Sequence, residues 1–385
     1  MIPVCEPLLS SKELEYVADC LKTNWISSLG KYINEFEQRF AEYCGVKYGV
    51  STTSGTTALH LALASLDIGK GDEIIVPAFT MVAPIFAILY TGARPVLVDC
   101  ELETWNIDVA EIEKKITRNT RAILPVHIYG HPCDMDPILE IARKYNLYMI
   151  EDAAEAHGAE YKGKKVGGIG DVGCFSFYAN KIITTGEGGM IVTNREEIAE
   201  RARRLKDQAY SKERRFLHTD LGFNYRMTNI QAAIGLAQLE RIDELVERRR
   251  KNARFYSHLL KEVEGVTLPP EKEWARNVYW MYGILIEDEF GMSRDELAAK
   301  LKQNGVDTRT FFIPMHQQPA FKKLGLFEGE SFPVSEELSG KGMYLPSGSG
   351  LREEEIEHVY NTLKKIRHSN QDNPKNSHWN PPSIW

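Results

Sequence analysis

Short apolar segments alternate with helical segments between about residue 45 and residue 195 of this 385-residue chain. The apolar segments are bounded by Gly, Pro, Asp or Asn and indicate buried strands: KYGVST, DEIIVPAF, RPVLVDC, RAILPVHIY, YMIEDAA, VGCFSFY and GMIVTN. Intervening stretches such as TTALHLALASL carry the i, i+3, i+4 spacing of helices that pack on a sheet. This alternation predicts an α/β fold with a large, mostly parallel sheet that is covered on both faces.

The second half of the chain predicts a smaller domain. From Thr228 to about Val263 the pattern is helical, with Thr228 as the predicted N-cap, and it indicates two helices or one long bent helix. A chain of this length also exceeds the size at which one core keeps growing. We therefore expect a large domain at residues 1–245, a small α+β domain at 246–368 and a polar, mobile tail at 369–385.

The composition is that of an acidic globular protein. The formal net charge is -7, which argues against a nucleic-acid binder because such proteins need a basic face. The N-terminal MIPVCEPLL has no leader pattern, and no segment approaches the ~20 apolar residues of a membrane span, so we expect a cytoplasmic protein. The six cysteines are scattered, which predicts free thiols and no metal site.

A first candidate ligand site lies in VSTTSGTTALHLAL, at residues 50–63. A strand end passes through small residues, including Ser54, Gly55 and Thr56, into a helix. Free backbone N–H groups and the positive end of the helix dipole then converge on one point, which favours a phosphate. A capped helix without a ligand explains the same pattern, and the stretch lacks the GxxxxGK[ST] pattern of a Walker loop.

A second candidate site is MIEDAAEAHG, where a predicted strand ends in two acids. Side chains at the carboxyl end of parallel strands face the crevice in which α/β proteins bind ligands. Asp152 could there hold a proton on a ring nitrogen, or it could simply cap a helix. Glu155 and His157 follow closely, and a single histidine in a turn is more often structural than catalytic.

Lys181 in FYANKIITTGEGG is a third candidate, because it leaves an aromatic strand just before a glycine-rich turn. A lysine becomes a nucleophile when it is desolvated or placed near positive charge, whereas a surface lysine stays protonated. A phosphate site, an acid for a ring nitrogen and an amine for an aldehyde together match pyridoxal 5'-phosphate (PLP).

The segment GIGDVG, at residues 168–173, matches the GxGxxG pattern of dinucleotide-binding proteins. In that fold the glycines follow a strand and open a helix. Here the strand-like CFSFY follows instead. We therefore disfavour an NAD-dependent oxidoreductase.

Five segments occur in an order typical of one enzyme family: GVSTTSGTTALHLAL, GDEIIVPAFTMVA, EDAAEAHGA, GDVGCFSFYANKIITTGEGGMIVTN and LGFNYRMTNIQAAIGLAQL. They resemble the successive signatures of the DegT/DnrJ/EryC1/StrS family of sugar aminotransferases. The resemblance extends to about Ile366 and leaves out only the tail. It implies an aspartate-aminotransferase-like subunit, the PLP-dependent transferase fold type I, and a homodimer whose two active sites lie at the interface.

The resemblance also implies roles for individual residues. Lys181 would form the Schiff base with PLP and move a proton between the cofactor and the sugar carbon, and Asp152 would keep the pyridine nitrogen protonated. Glu155 stands near the ring hydroxyl, where many members carry Gln. The phosphate would be bound by Ser54, Gly55, Thr56 and Ser176.

Further roles concern the neighbouring subunit and the cofactor ring. In LGFNYRM, Asn224 would reach the phosphate of the neighbouring subunit's cofactor and Arg226 would meet the carboxylate of the amino donor. Without the resemblance, a surface hydrogen-bonding turn is the preferred explanation for these two residues. Many relatives stack an aromatic ring on the cofactor where this chain has Met81, so Met81 and the nearby Phe79 are both candidates for that contact.

Other segments are similar to members that move the amino group of glutamate to C4 of GDP-4-keto-6-deoxymannose: MIPVCEPLLS, TNWISSLGKYINEFE, VHIYGHPCDM, TRTFFIPMHQQPAF and MYLPSGSGL. Candidate sugar-nucleotide contacts are Trp25, His157, Arg309 and His316, for each of which packing or a solvent-facing role is an equal alternative. A UDP- or dTDP-linked 4-keto-6-deoxy sugar stays open as the substrate, as does a non-catalytic regulator. Related dehydratases carry histidine in place of the lysine, so Lys181 disfavours them.

Overall fold

The computed structural model describes residues 1–211, 213–214 and 216–371. Most of the predicted tail, from residue 372 onwards, lies outside the described residues. The strands are β1 (Tyr48–Thr52), β2 (Glu73–Pro77), β3 (Arg94–Val98), β4 (Thr120–Ile123), β5 (Tyr148–Asp152), β6 (Glu160–Tyr161), β7 (Lys164–Lys165), β8 (Val172–Ser176), β9 (Gly189–Thr193), β10 (Val266–Thr267), β11 (Ala275–Arg276), β12 (Tyr282–Ile286), β13 (Arg309–Thr310) and β14 (Gly342–Leu345).

Helices separate most of these strands along the chain. They are α1 (Ser11–Thr23), α2 (Lys31–Tyr43), α3 (Gly55–Ser65), α4 (Ala83–Tyr90), α5 (Val109–Ile112), α6 (Met135–Tyr145), α7 (Glu196–Lys206), α8 (Asn229–Leu239), α9 (Ile242–Leu260), α10 (Arg294–Gln303), α11 (Pro319–Lys323), α12 (Pro333–Lys341) and α13 (Glu353–Gln371). None of these described helices is both long enough and apolar enough to cross a membrane.

A seven-stranded sheet organises the first half of the chain, in the order β1-β9-β8-β5-β4-β2-β3. Strand β9 is antiparallel to both of its neighbours, and the other pairs are parallel. All seven predicted strands are therefore confirmed. Their residues are buried almost throughout, as expected of a sheet with both faces covered.

The loops that carry the predicted motifs meet at one edge of this sheet. Strands β1, β5 and β8 point in the same direction because β1 and β8 are both antiparallel to β9 and β5 is parallel to β8. Their carboxyl ends are Thr52, Asp152 and Ser176. Helix α3 begins directly after β1, and Lys181 follows β8, so both lie near the end of β5.

The second half of the chain builds a four-stranded sheet, in the order β10-β12-β14-β13. Its hydrophobic side chains form a separate buried cluster with parts of α9, α10 and α13. The predicted helical stretch consists of two helices, α8 and α9, and the Thr228 hydroxyl caps α8 by accepting a hydrogen bond from the Gln231 N–H. The expected domain boundary at 245/246 falls inside α9.

Candidate active site

A cavity of about 730 Å³ opens at the carboxyl ends of the central strands. Its wall combines residues from all three motifs with residues from the second half of the chain. The predicted site residues in its lining are Ser54, Gly55, Thr56, Met81, Asp152, Glu155, Ser176, Lys181 and Arg309. The topology thus brings together side chains that are far apart in sequence.

The N-terminus of α3 forms one end of the cavity. Ser54 caps the helix: its hydroxyl accepts from the Thr57 N–H at 3.2 Å, and its own N–H donates to the Thr57 hydroxyl at 2.9 Å. The N–H groups of Gly55 and Thr56 belong to the first helical turn, which has no intrahelical acceptors for them. A Cβ at Gly55 would lie 2.7 Å from the Ser176 Cβ, so only glycine allows this close approach of α3 to β8.

Asp152 occupies the last position of β5, and its side chain is buried in the cavity wall. Its backbone is fixed on both sides, since its N–H donates to the Pro125 carbonyl at 2.9 Å and its carbonyl accepts from the His127 N–H at 3.1 Å. One carboxylate oxygen accepts from the Ala154 N–H at 3.0 Å. Burial raises the pKa of Asp152, while the nearby Lys181 and the Ala154 N–H oppose that shift.

Glu151 points to the other side of the strand and is fully buried. Its carboxylate accepts from the His127 ring at 3.1 Å and from the backbone N–H groups of Gly167, Ile169 and Gly170 at 2.7, 2.8 and 2.6 Å. The glycine-rich segment that matches GxGxxG therefore uses its amides to bind an internal carboxylate. This contact gives the motif a role that needs no dinucleotide.

The amine of Lys181 lies against an aromatic ring. Its Nζ is 3.7 Å from the ring centroid of Trp280, and its backbone N–H donates to the Tyr178 carbonyl at 2.9 Å. Loss of solvent lowers the pKa of Lys181, and the carboxylates of Glu155 and Asp152 oppose this shift. A lowered pKa increases the fraction of neutral, nucleophilic amine.

Glu155 is buried beside the lysine and accepts a hydrogen bond from the Tyr129 N–H at 2.8 Å. Tyr129 has a φ of 51°, which is rare for a residue other than glycine, asparagine or aspartate. Burial raises the pKa of Glu155 to about 7, against the opposing charge of Lys181. The site therefore holds an acid that titrates near neutral pH.

Residues 7–364 match the DegT/DnrJ/EryC1/StrS aminotransferase family. The chain belongs to this family. Two relatives named GDP-perosamine synthase are similar to this aminotransferase over nearly their whole length. The relative from Caulobacter vibrioides is 47% identical over 366 residues, which cover 95% of this chain and 98% of the relative. The relative from Escherichia coli O157:H7 is 45% identical over 365 residues, with coverage of 95% and 98%.

A solved structure shares the fold. Spr1654 from Streptococcus pneumoniae, in its PLP form, is 28% identical, with a TM-score of 0.90 and coverage of 96% of this chain and 99% of that chain. The predicted fold, type I of the PLP-dependent transferases, is thereby confirmed, and PLP is the cofactor of this aminotransferase. The cavity fits PLP, because the close approach of α3 to Ser176 leaves helix N–H groups for a phosphate, opposite a carboxylate and an amine.

The structure separates the two candidates for the ring-stacking contact. Met81 is 44% exposed and lines the cavity of this aminotransferase. Phe79 is buried outside the lining, among Tyr129, Phe311 and Phe312. A polarizable thioether can cover a ring, so Met81 is the candidate that the geometry favours.

Three predicted substrate contacts of this aminotransferase lie outside the cavity lining. His157 is fully buried among Phe40, Phe175 and Phe177, and burial lowers its pKa to about 3, so it serves as a core residue. The Nε2–H of His316 donates to the Glu336 carboxylate at 2.9 Å. Trp25 is exposed on the loop between α1 and α2.

Asn224 and Arg226 are also absent from the lining of this aminotransferase's own cavity. Asn224 is exposed and forms a backbone bridge with Asp207, and Arg226 pairs with the Asp207 carboxylate. Within its own chain this segment is thus tied to Asp207, just after α7.

Several lining residues were not predicted from the sequence: Cys5, Tyr178, Asn180, Trp280, Phe311, Phe312 and Tyr344. Trp280 lies in VYWMYG, an aromatic run that the periodicity assigns to a core strand. Cys5 lies in MIPVCEPLLS, a segment that carries a resemblance but predicts no chemical role for the cysteine. The folding of the second half of this aminotransferase onto the first brings Trp280, Phe311, Phe312 and Tyr344 to the cavity.

Proposed function

We propose that this aminotransferase moves the amino group of glutamate to C4 of GDP-4-keto-6-deoxymannose, which gives GDP-perosamine. The observation that carries the proposal is that Lys181, Asp152 and the N-terminus of α3 all line the same cavity. The substrate is supported by the relatives named GDP-perosamine synthase at 47% and 45% identity.

PLP, when bound, supplies an aldehyde and a ring that withdraws electrons. The chain supplies the groups that hold it and move the protons. The first-turn N–H groups of α3 and the Ser54 and Ser176 hydroxyls would bind the phosphate, and Asp152 would keep a proton on the ring nitrogen. When its amine is not bonded to PLP, Lys181 would remove a proton from one carbon, on the cofactor or on the sugar, and return it to the other.

Protonation of Glu155 bears on the same chemistry. A carboxyl with a pKa of about 7 can either donate a hydrogen bond to an oxygen of the cofactor ring or accept one from it. Its fixed contact with the Tyr129 N–H orients it toward the lysine side of the cavity. We propose that Glu155 is the partner of the ring hydroxyl.

We also propose a homodimer with shared active sites. The cations in the described lining of one chain are Lys181 and Arg309, while Asn224 and Arg226 lie outside it. Large apolar side chains are exposed around α1 and near Asn224: Leu9, Leu14, Leu21, Trp25, Ile26, Leu29 and Leu221. A second copy would cover this apolar surface and bring Arg226 to the cavity as the carboxylate partner of glutamate.

A cytoplasmic location is part of the proposal. All six cysteines are unpaired, and five of them are buried. Free thiols persist in reducing compartments. Secretion into an oxidising medium would instead favour disulfides.

The test is the visible absorbance of the PLP-loaded protein as glutamate and then GDP-4-keto-6-deoxymannose are added. We expect glutamate to bleach the band of lysine-bound PLP and the sugar nucleotide to restore it. Bleaching without recovery would reject this sugar but retain the aminotransferase. Lys181→Ala is the control: it should bind PLP without the covalent band, and loss of turnover in this folded variant would count against a non-catalytic regulator.

The nucleotide is tested separately by competition. GDP should slow the recovery step, whereas UDP and dTDP at the same concentration should not. Protection by UDP or dTDP alone would assign the chain to another 4-keto-6-deoxy sugar. Each outcome leaves the glutamate half-reaction unaffected, so the two questions stay independent.

A further inference from the structure

An indole ring from the second half of the chain covers the amine of Lys181. Trp280 lies just before β12, is 4% exposed, and holds the lysine Nζ 3.7 Å from its ring centroid. Its Nε1–H donates to the Asn180 carbonyl at 2.9 Å. One side chain therefore contacts both the lysine head group and the backbone immediately before it.

Arg249, on α9, binds the backbone of Trp280. Its guanidinium is buried and donates to the Trp280 carbonyl, to the Ser347 carbonyl at 3.3 Å and to the Ser349 hydroxyl at 3.1 Å. A fourth contact reaches the Cys5 sulfur at 3.3 Å. All four partners are neutral. A buried cation is costly unless it is well hydrogen-bonded, so these contacts fix both the guanidinium and the backbone that carries the indole.

These contacts link Cys5, Arg249 and Trp280 to one another around the Asn180 carbonyl. Cys5 lies within hydrogen-bond distance of the Asn180 carbonyl, at 3.4 Å, while it also contacts Arg249. Trp280 reaches the same carbonyl oxygen. The segment before Lys181 is therefore held from the N-terminal part of the chain and from the small predicted domain at once.

We propose that Trp280 is a positioning residue for Lys181 and that Arg249 fixes Trp280 for this role. The inference rests on the proposed bond between Lys181 and PLP. Trp280 limits the directions that the amine can take and keeps water from one side of it. An amine that points correctly reacts faster with an aldehyde because less of the barrier is spent on orientation.

The test measures how fast Lys181 bonds PLP, separately from turnover. Cofactor-free protein is mixed with PLP, the Schiff base is trapped with borohydride at set times, and the Lys181 peptide is quantified by mass spectrometry. In Trp280→Leu we expect the rate to fall on the order of 10- to 100-fold. Trp280→Phe keeps an aromatic face but loses the N–H donor, so we expect a smaller fall of about 3- to 10-fold.

Two controls separate positioning from general damage. Trp274→Leu makes the same change at a tryptophan that packs on His131 and Tyr161, outside the cavity, and should keep the wild-type rate. Pyridoxine 5'-phosphate has no aldehyde, so its affinity for each Trp280 variant measures binding alone, and the bonding rates are compared at PLP concentrations that saturate each variant.

Arg249 is tested by the same rate. Arg249→Met should lower the rate at which Lys181 bonds PLP, and Arg249→Lys should recover part of that rate because it keeps the charge and one donor.

If Trp280→Leu does not fold, the rate in Trp280→Phe is the test. A wild-type rate in the folded Trp280 variants, or a fall no larger than in Trp274→Leu, overturns the inference. Failure of the wild type itself to bond PLP would instead reject the proposed function, and the inference with it.

Discussion

At the scale of single residues, the site is marked by side chains whose pKa the fold has shifted. Burial raises the pKa of Asp152 and of Glu155, and loss of solvent lowers that of Lys181. Perturbed groups gather where chemistry takes place. The pKa of Glu155 is about 7, so its titration should be measurable near neutral pH.

We predict a pH-dependent difference in stability between the wild type and Glu155→Gln. The Glu155 pKa is about 7 in the folded protein and 4.5 in the unfolded reference, so the folded state holds this proton more tightly. The free energy of unfolding contributed by Glu155 is therefore complete below pH 4.5 and is lost as the pH rises to about 7. Relative to the wild type, Glu155→Gln should gain on the order of 1–3 kcal/mol between pH 5 and pH 8.

Urea unfolding of the cofactor-free proteins at both pH values checks this expectation. Glu187→Gln, at an exposed carboxylate of the same cavity, is the control. An equal difference between wild type and Glu155→Gln at pH 5 and pH 8 would show that Glu155 is not the group that titrates.

Sequence reasoning reached some site residues and missed others for a physical reason. Lys181, Asp152 and Ser54 each follow a strand of the parallel sheet, and topology alone brings such positions to one edge. Trp280 carries no comparable signal, since its neighbours are aromatic and apolar. His157 sits in a motif but packs into the core, because motif position does not fix the direction of a side chain.

At the scale of elements, we expect cofactor binding to depend on the close approach of α3 to β8. We predict that Gly55→Ala weakens PLP binding on the order of 10-fold or more, because the added Cβ would meet the Ser176 Cβ at 2.7 Å and push the helix N-terminus away. Equilibrium titration of the cofactor-free protein with PLP measures the effect.

Gly340→Ala is the matched control. Gly340 lies in α12, and nothing stands within 4 Å of a Cβ added there. This variant should bind PLP as the wild type does, with equal or slightly higher stability, because alanine favours a helix. Wild-type affinity in Gly55→Ala would mean that the phosphate does not sit at this helix end.

At the scale of the whole molecule, the placement of Arg226 leads to a prediction about subunits. If each site combines Lys181 of one chain with Arg226 of the other, a mixture of Lys181→Ala and Arg226→Ala chains forms hybrid dimers with one intact site. Random pairing makes half of the dimers hybrids, so activity should return to about a quarter of the wild-type value.

The measurement is turnover after co-refolding or co-expression of the two variants, with each variant alone as the baseline. No recovery in a mixture shown to contain hybrids would place both residues in sites formed by one chain.

The large sheet and the helical stretch after Thr228 could be predicted from periodicity, although periodicity left open whether that stretch is two helices or one bent helix. The docking of the second half onto the cavity could not, since its contacts join residues far apart along the chain.

The carboxylate of Glu151 has a consequence for how this sequence can change over generations. Four donors converge on it, three of them backbone N–H groups, so losing Glu151 leaves all four without their acceptor at once. Any residue except proline keeps its backbone N–H, so a side-chain change in the loop, such as one at Ile169, leaves the bond to Glu151 in place. We therefore expect this part of the sequence to vary in its loop long before it varies at the acid.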